Sequence, residues 1–304
     1  MSGSKLKLMR FIKHQLKEMC ENIESNFDKN MDARKGNPFL IIDSKINKCM
    51  GLGRSTDSQL GNRMQNIVFY SARLRYGEKA VPNLVLIETD REKKTVKCTC
   101  FYVELSCYDN LLLNGKSIKQ QAFKQIVLIN KKVSIDDIAK SIGLAKNDKS
   151  NIKIYEEIFT EVDDESLEYL KKREQDKKRT EIDLLLFGVK LIRTFEIKLG
   201  GSLDTKNAPA NIREIADLKE LFAFSSVNHT YFATCYGSGS EAVAKNFKSD
   251  KRPFDKNDGI LKNTEFWKVV LPEDISYDEF IKMYQTAFKN AGINETLKRL
   301  SQIK

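Results

Sequence analysis

Residues 180–201 read TEIDLLLFGVKLIRTFEIKLGG, one of the most apolar runs in the chain, yet Glu181, Asp183, Glu196 and Lys198 interrupt it. Core strands do not welcome charge, so the four need a reason. Read as two antiparallel strands, 180–187 and 190–199, turning at Gly188-Val189, the run sorts itself by the two-residue period of a strand. Glu181, Asp183, Leu185 and Phe187 share one face of the first strand, and Thr194, Glu196 and Lys198 share one face of the second. Hairpin pairing sets Asp183 opposite Thr194 or Glu196. Either register brings two carboxylates and an ammonium together. The other face, Ile182, Leu184, Leu186, Phe195 and Ile197, is an apolar layer for helices.

Adjacent carboxylates in a partly apolar setting repel and lose hydration. A divalent cation relieves both costs, and hard oxygen ligands suit Mg2+. A lysine beside them can orient and activate a water, so the set suits phosphodiester hydrolysis. Acid–apolar–lysine triplets are cheap, however, and a surface salt-bridge ladder would use the same residues. The chain holds a second triplet, Asp217-Leu218-Lys219. It falls in a predicted helix and lacks an acid on a paired strand, so context favours the first. Glu181 shares the face of Asp183, as a further ligand or as the outer end of a ladder.

The rest of the sequence frames this pair. A helix is expected from Ser4 to about Asp28, with Leu6, Met9, Ile12, Leu16, Met19 and Ile23 at helical spacing. A second runs from near Ser55, capped by Ser55 or Thr56, to about Leu74. Residues 83–106 read as a hairpin, 116–177 as mixed helical segments, Pro209 onward as a helix, HTYFATCYG as a strand, and the tail from Asp274 as two helices. No repeat or Pro/Ser linker breaks the chain. The reading is one α/β domain over 1–304, a mixed central sheet flanked by helices with a helical periphery. Its helical ends span 1–50 and about 255–304, around a core at about 51–240.

Composition bounds the function. The chain has 304 residues, 41% of them hydrophobic, with 52 Lys+Arg against 42 Asp+Glu and a formal charge of +10. The excess of base points mildly to a polyanionic partner. Six scattered cysteines without a C-x-x-C, and only two histidines, argue against a zinc finger and for reduced thiols in the cytoplasm. No run approaches the length of a membrane span, and no secretory leader is expected at the N-terminus.

The 180–201 stretch resembles the PD-(D/E)XK nuclease core: an acid on one strand, a turn, then Glu196-Ile197-Lys198 on the next, followed by a loop and a helix. Ile182 stands where the motif has its proline. The resemblance implies that Asp183 and Glu196 bind Mg2+ with the main-chain carbonyl of Ile197, and that Lys198 acts on the water. It also implies an earlier helix with a polar residue toward the metal, here Gln65. The stretches GRSTDSQLGNRMQ and FEIKLGGSLDTKNAPANIREI resemble a narrower group over roughly 50–240, the TdeIII-like Type II restriction endonucleases. That likeness implies cleavage of double-stranded DNA at a GGNCC-type site, leaving 5'-phosphate ends, in a restriction-modification system with a cognate methyltransferase.

DNA contacts are expected from the loop after the lysine, at Ser202, Lys206, Asn207, Asn211 and Arg213, and from Arg54 and Arg63 on the earlier helix. A basic loop at 237–257 offers Lys245, Lys248, Lys251 and Arg252. His229 and the cysteines near position 100 read as structural. The expectation is a homodimeric restriction endonuclease, since a two-fold protein reads a palindrome most simply. The rivals are a repair or junction nuclease on the same core and a non-enzymatic DNA-binding protein.

Overall fold

The structure, a computed structural model, describes residues 3–35, 43–144, 146–176, 179–188, 191–200, 208–237, 241–247, 254–255 and 257–302. It is an α/β protein with mixed sheets flanked by helices. In chain order the helices are α1 (Gly3–Ser25), α2 (Phe27–Lys35), α3 (Ser44–Tyr76), α4 (Leu105–Leu113), α5 (Ile135–Ser141), α6 (Asp164–Gln175), α7 (Ala208–Leu221), α8 (Glu241–Phe247), α9 (Thr264–Val270), α10 (Tyr277–Asn290) and α11 (Ile293–Gln302). The strands are β1 (Leu84–Asp90), β2 (Thr95–Val103), β3 (Gln125–Ile129), β4 (Ile152–Phe159), β5 (Thr180–Ile182), β6 (Leu184–Leu186), β7 (Ile192–Lys198), β8 (Asn228–Thr234) and β9 (Gly259–Lys262).

The chain divides into two units, Met1–Ile67 with Glu273–Lys304, and Val68–Pro272. In the first, α1 packs on α10 and α11. Of its expected stripe Ile12, Leu16, Met19 and Ile23 are buried, but Leu6 is exposed and Met9 only half-buried; Leu8 and Phe11 take the buried positions in the first turns.

The second unit contains two sheets where one central sheet was expected. One has the order β4-β2-β1-β3-β5, and the other β6-β7-β8-β9. The hairpin read at 83–106 is present as β1 and β2, antiparallel with Leu84 opposite Phe101 and Asp90 opposite Thr95. In the four-stranded sheet β6 runs antiparallel to β7, whereas β8 lies parallel to β7 and β9 parallel to β8. A parallel neighbour needs a crossover, and α7 supplies it between β7 and β8. The core between the sheets and helices α6 and α7 gathers Val85, Ile87, Cys98, Cys100, Val127, Leu185, Phe187, Ile192, Leu218 and Phe222. The cysteines near position 100 are therefore buried core thiols, as read.

Two sequence readings change. The second helix begins at Ser44, not Ser55, and Thr56 Oγ1 donates to the Leu52 carbonyl at 2.8 Å inside the helix instead of capping it. The stretch 116–177, read as helical, contains β3 and β4.

At the end of α3 the fully buried Arg73 binds three backbone or amide oxygens. It donates to Val81 O at 3.0 Å, Val103 O at 2.7 Å and Asn83 Oδ1 at 2.6 Å, and its guanidinium lies 4.4 Å from the Phe69 ring centroid. Burial lowers its pKa, but the ring of acceptors holds the charge in place.

Candidate active site

The stretch that looked like one long first strand is two short ones. β5 pairs with β3 in the five-stranded sheet, and β6 pairs with β7 in the other. Asp183 is the single residue between them, at the point where the chain leaves one sheet for the next. The buried Gln125 side chain holds this break open. Its Oε1 accepts from Leu185 N at 2.7 Å, and its Nε2 donates to Leu185 O at 2.9 Å and Pro82 O at 2.7 Å. A side-chain amide thus replaces a neighbouring strand at the residue where pairing would fail.

Leu184 faces Phe195 in the β6–β7 ladder, so one step further Asp183 lies toward Glu196. Asp183 Oδ2 accepts from the Ile197 N–H at 2.7 Å. Lys198 Nζ donates to Glu196 Oε1 at 2.5 Å. The acid-bearing face is less polar than its alternation suggests, because Leu185, Phe187 and Ile192 on it lie in the core with α7. On the opposite face Phe195 and Ile197 are buried, and the Phe195 ring lies 6.3 Å from that of Phe266 on α9.

The electrostatics follow from this setting. Burial, and then the charge of Glu196, push the Asp183 carboxyl up to about 7 against the pull of the Ile197 N–H. Burial also raises Glu196, although Lys198 opposes it. Burial works against the Lys198 ammonium, but Glu196 and Asp183 outweigh it and hold its pKa above the usual lysine value. All three groups also feel Glu214 on α7, a residue the sequence reading passed over. Its only sequence signal was an exposed acid one turn beyond Ala210 on the helix that returns over β7.

The structure distributes the other candidates widely. Gln65 is half-buried on α3 within the first unit, whereas Asp183, Glu196 and Lys198 belong to the second. Arg63 is not a surface DNA contact: it is buried, and Nη1 pairs with Glu18 Oε2 at 2.9 Å. Arg54 is exposed on α3, and Arg213 is exposed on α7. Asn211 departs from the expected surface role, being buried on α7 with Nδ2 lacking a hydrogen-bond partner among the described residues. Ser202, Lys206 and Asn207 lie outside the described residues, as do Lys248, Lys251 and Arg252. Gly200 has a local reason of its own: a Cβ there would sit 2.6 Å from both the Tyr236 ring and its carbonyl. Glu181 resolves as the outer ladder, its carboxylate pairing with Lys124 and Arg179 beside β3.

The second triplet is structural. Lys219 Nζ reaches Asp255 at 3.1 Å and the fully buried Asp258 at 3.0 Å. Asp258 Oδ1 also accepts from Thr230 N at 2.7 Å. His229, Asp255 and Asp258 present metal-type donors within 4.8 Å of one another. The Lys219 ammonium offsets one of the two carboxylate charges here and ties α7 to Asp255 and Asp258.

No helix among the described residues is long and apolar enough to cross a membrane. No family model matches the chain, and no curated protein or solved structure matches it either.

Proposed function

We propose that the protein is a Mg2+-dependent endonuclease of double-stranded DNA, of the restriction class, with its active site at Asp183, Glu196 and Lys198. One observation carries the reading: two carboxylates, one of them raised to about 7, converge at a sheet junction with a lysine bonded to one of them. A salt-bridge ladder has no need to bury acids beside each other; the Glu181 pairs show what this chain's ladder looks like.

The donor set fits a hard divalent cation. Asp183 and Glu196 supply anionic oxygens, the Ile197 carbonyl is the neutral oxygen between acid and lysine, and the crowding that raises Asp183 is what a cation relieves. When bound, Mg2+ supplies Lewis-acid stabilisation of charge on the scissile phosphate. Within the chain, Lys198 orients a water and offsets developing negative charge, and its bond to Glu196 fixes its direction. Asp183 is held in place by the Ile197 N–H. Glu214 adds a third negative charge at the rim, and Arg213 beside it faces solvent, where a phosphate backbone can reach it. Ser202, Lys206 and Asn207 remain in the proposal as DNA contacts read from the sequence.

The test is plasmid cleavage with Mg2+ by the wild type, Lys198→Ala and Asp183→Asn. General acid–base and electrostatic contributions of this kind are worth about 10²–10⁴-fold, so each variant should cut at least about 100-fold more slowly. Variants that cut like wild type would remove the site. A discrete ladder from phage DNA distinguishes sequence-specific cutting from a junction nuclease, and a methyltransferase gene beside this one supports restriction. The GGNCC-type site is tested by the sequence of the ends.

A further inference from the structure

The five-stranded sheet ends at β4, which pairs with β2 on one side. Its register with β2 is unbroken for eight residues, from Ile152 opposite Val103 to Phe159 opposite Val96. The strand therefore has no bulge, and it contains neither proline nor glycine. Ile154 and Ile158 are 53% and 59% exposed on one face. Natural edges are blunted by bulges, prolines, a covering element or charged side chains, and of these β4 has, among the described residues, only charge. Its charges are of both signs, Lys153, Glu156 and Glu157.

We propose that β4 is the dimerisation strand, pairing antiparallel with β4 of a second copy of this chain about a two-fold axis at Tyr155. The charge pattern selects the occupant and the register. A two-fold axis perpendicular to the sheet keeps each face on its own side, so a residue meets only a partner of the same parity. Centred on Tyr155, the strands set Lys153 opposite the partner's Glu157 twice, and Ile152 opposite the partner's Ile158 twice. Centred on Glu156, two glutamates meet on the axis. Centred on Ile154, Lys153 faces the partner's Tyr155 and no ion pair forms. Glu157 makes no ion pair among the described residues, and Lys153 holds only long contacts, to the Ser150 carbonyl at 3.5 Å and Glu104 at 3.8 Å, which a cross-strand partner can replace. Opposite charges directly across a strand pair stabilise it and like charges destabilise it. The result is a ten-stranded sheet spanning two copies, with Ile154 and Ile158 of each brought to its centre.

The inference does not depend on the nuclease reading, because it is read from mass alone. Light scattering after size exclusion should give twice the chain mass for the wild type. Lys153→Glu and Glu157→Lys should each dissociate, with at least about a tenfold rise in Kd. Mixed in equal amounts, the two variants should recover the dimer, because each then meets its opposite. The double variant K153E/E157K should also recover it alone. Where a charge variant fails to fold, mixing Ile154→Cys with Glu156→Cys on a Cys49→Ser background should give an oxidised cross-link that neither forms alone. A monomeric wild type, single variants that stay dimeric, or a mixture that stays monomeric together with no cross-link would overturn the proposal.

Discussion

Asp183 is the residue on which burial and charge pull in opposite directions. Its carboxyl is held up to about 7 in the fold, against 3.8 in the free side chain, so the folded state binds a proton that the unfolded state has released. Stability from this group is full below about pH 4 and is lost as pH rises through about 7. The full displacement bounds the effect at about 4 kcal/mol, and partial solvent access to Asp183 reduces it. Asp183→Asn keeps an oxygen for the Ile197 N–H and removes the charge. In chelator at pH 8 it should therefore be more stable than wild type by about 1–3 kcal/mol, with the advantage gone at pH 4. Urea melts at both pH values measure this, and equal midpoints at pH 8 would contradict the raised carboxyl. Added Mg2+ should restore the wild type and leave the variant unchanged.

The same scale shows what a sequence can and cannot say about a site. The juxtaposition of Asp183, Glu196 and Lys198 was legible because strand alternation puts them on one face whatever surrounds them. Glu214 was not, since its approach depends on how α7 folds back over β7. Arg63 was read as a DNA contact from its place on the earlier helix; its partner Glu18 lies 45 positions away, beyond the reach of local pattern. Asn211 was misjudged for a related reason, because the buried stripe of α7 runs through it with Ile212 and Ile215.

At the scale of elements, the junction between β5 and β6 depends on one amide. Gln125 closes three hydrogen bonds that a continuous strand would have made for itself. Gln125→Leu keeps the volume roughly constant and strips those partners, leaving Leu185 N–H, Leu185 O and Pro82 O buried without them. Each buried group so orphaned costs about 1–3 kcal/mol, and relaxation recovers part of the sum. The variant should lose about 2–4 kcal/mol in urea unfolding. Cleavage should fall at temperatures where the variant is still folded, because Asp183 is two residues from Leu185. An unchanged unfolding midpoint would show that the amide does not hold the junction. Local pattern could not reveal such a device. A single strand was read across 180–187 because alternation persists through the break, and β3 was lost in a helical reading because QIVLI is uniformly buried and carries no period. β1 and β2 were readable because a charged turn separates two β-rich runs.

Across the whole molecule, the fold class was legible from the alternation of helical and strand segments, while the division into two units was not. The terminal helices join one another from opposite ends of the chain, and no composition shift marks that. Charge is the remaining global property, at +10. If DNA is the partner, this excess acts through phosphates, and affinity must fall with salt as bound counterions are released. Asp183→Asn, which should leave DNA uncut under the proposed function, is the protein to use. Its affinity for a labelled duplex, followed by anisotropy over a KCl series, should give a log–log slope of about −4 to −6, as for roughly five or six neutralised phosphates. Arg213→Ala in that background should make the slope shallower by about 1, without moving the urea midpoint, because Arg213 is exposed and has no structural bond among the described residues. Arg63→Ala should do the reverse. It removes the cation from a buried pair with Glu18, costing about 3–5 kcal/mol of stability, while the slope measured on folded protein stays the same. A flat salt dependence would leave the basic balance of the chain without a role in binding, and a slope lost with Arg63 instead of Arg213 would overturn the assignment of Arg213 as a phosphate contact.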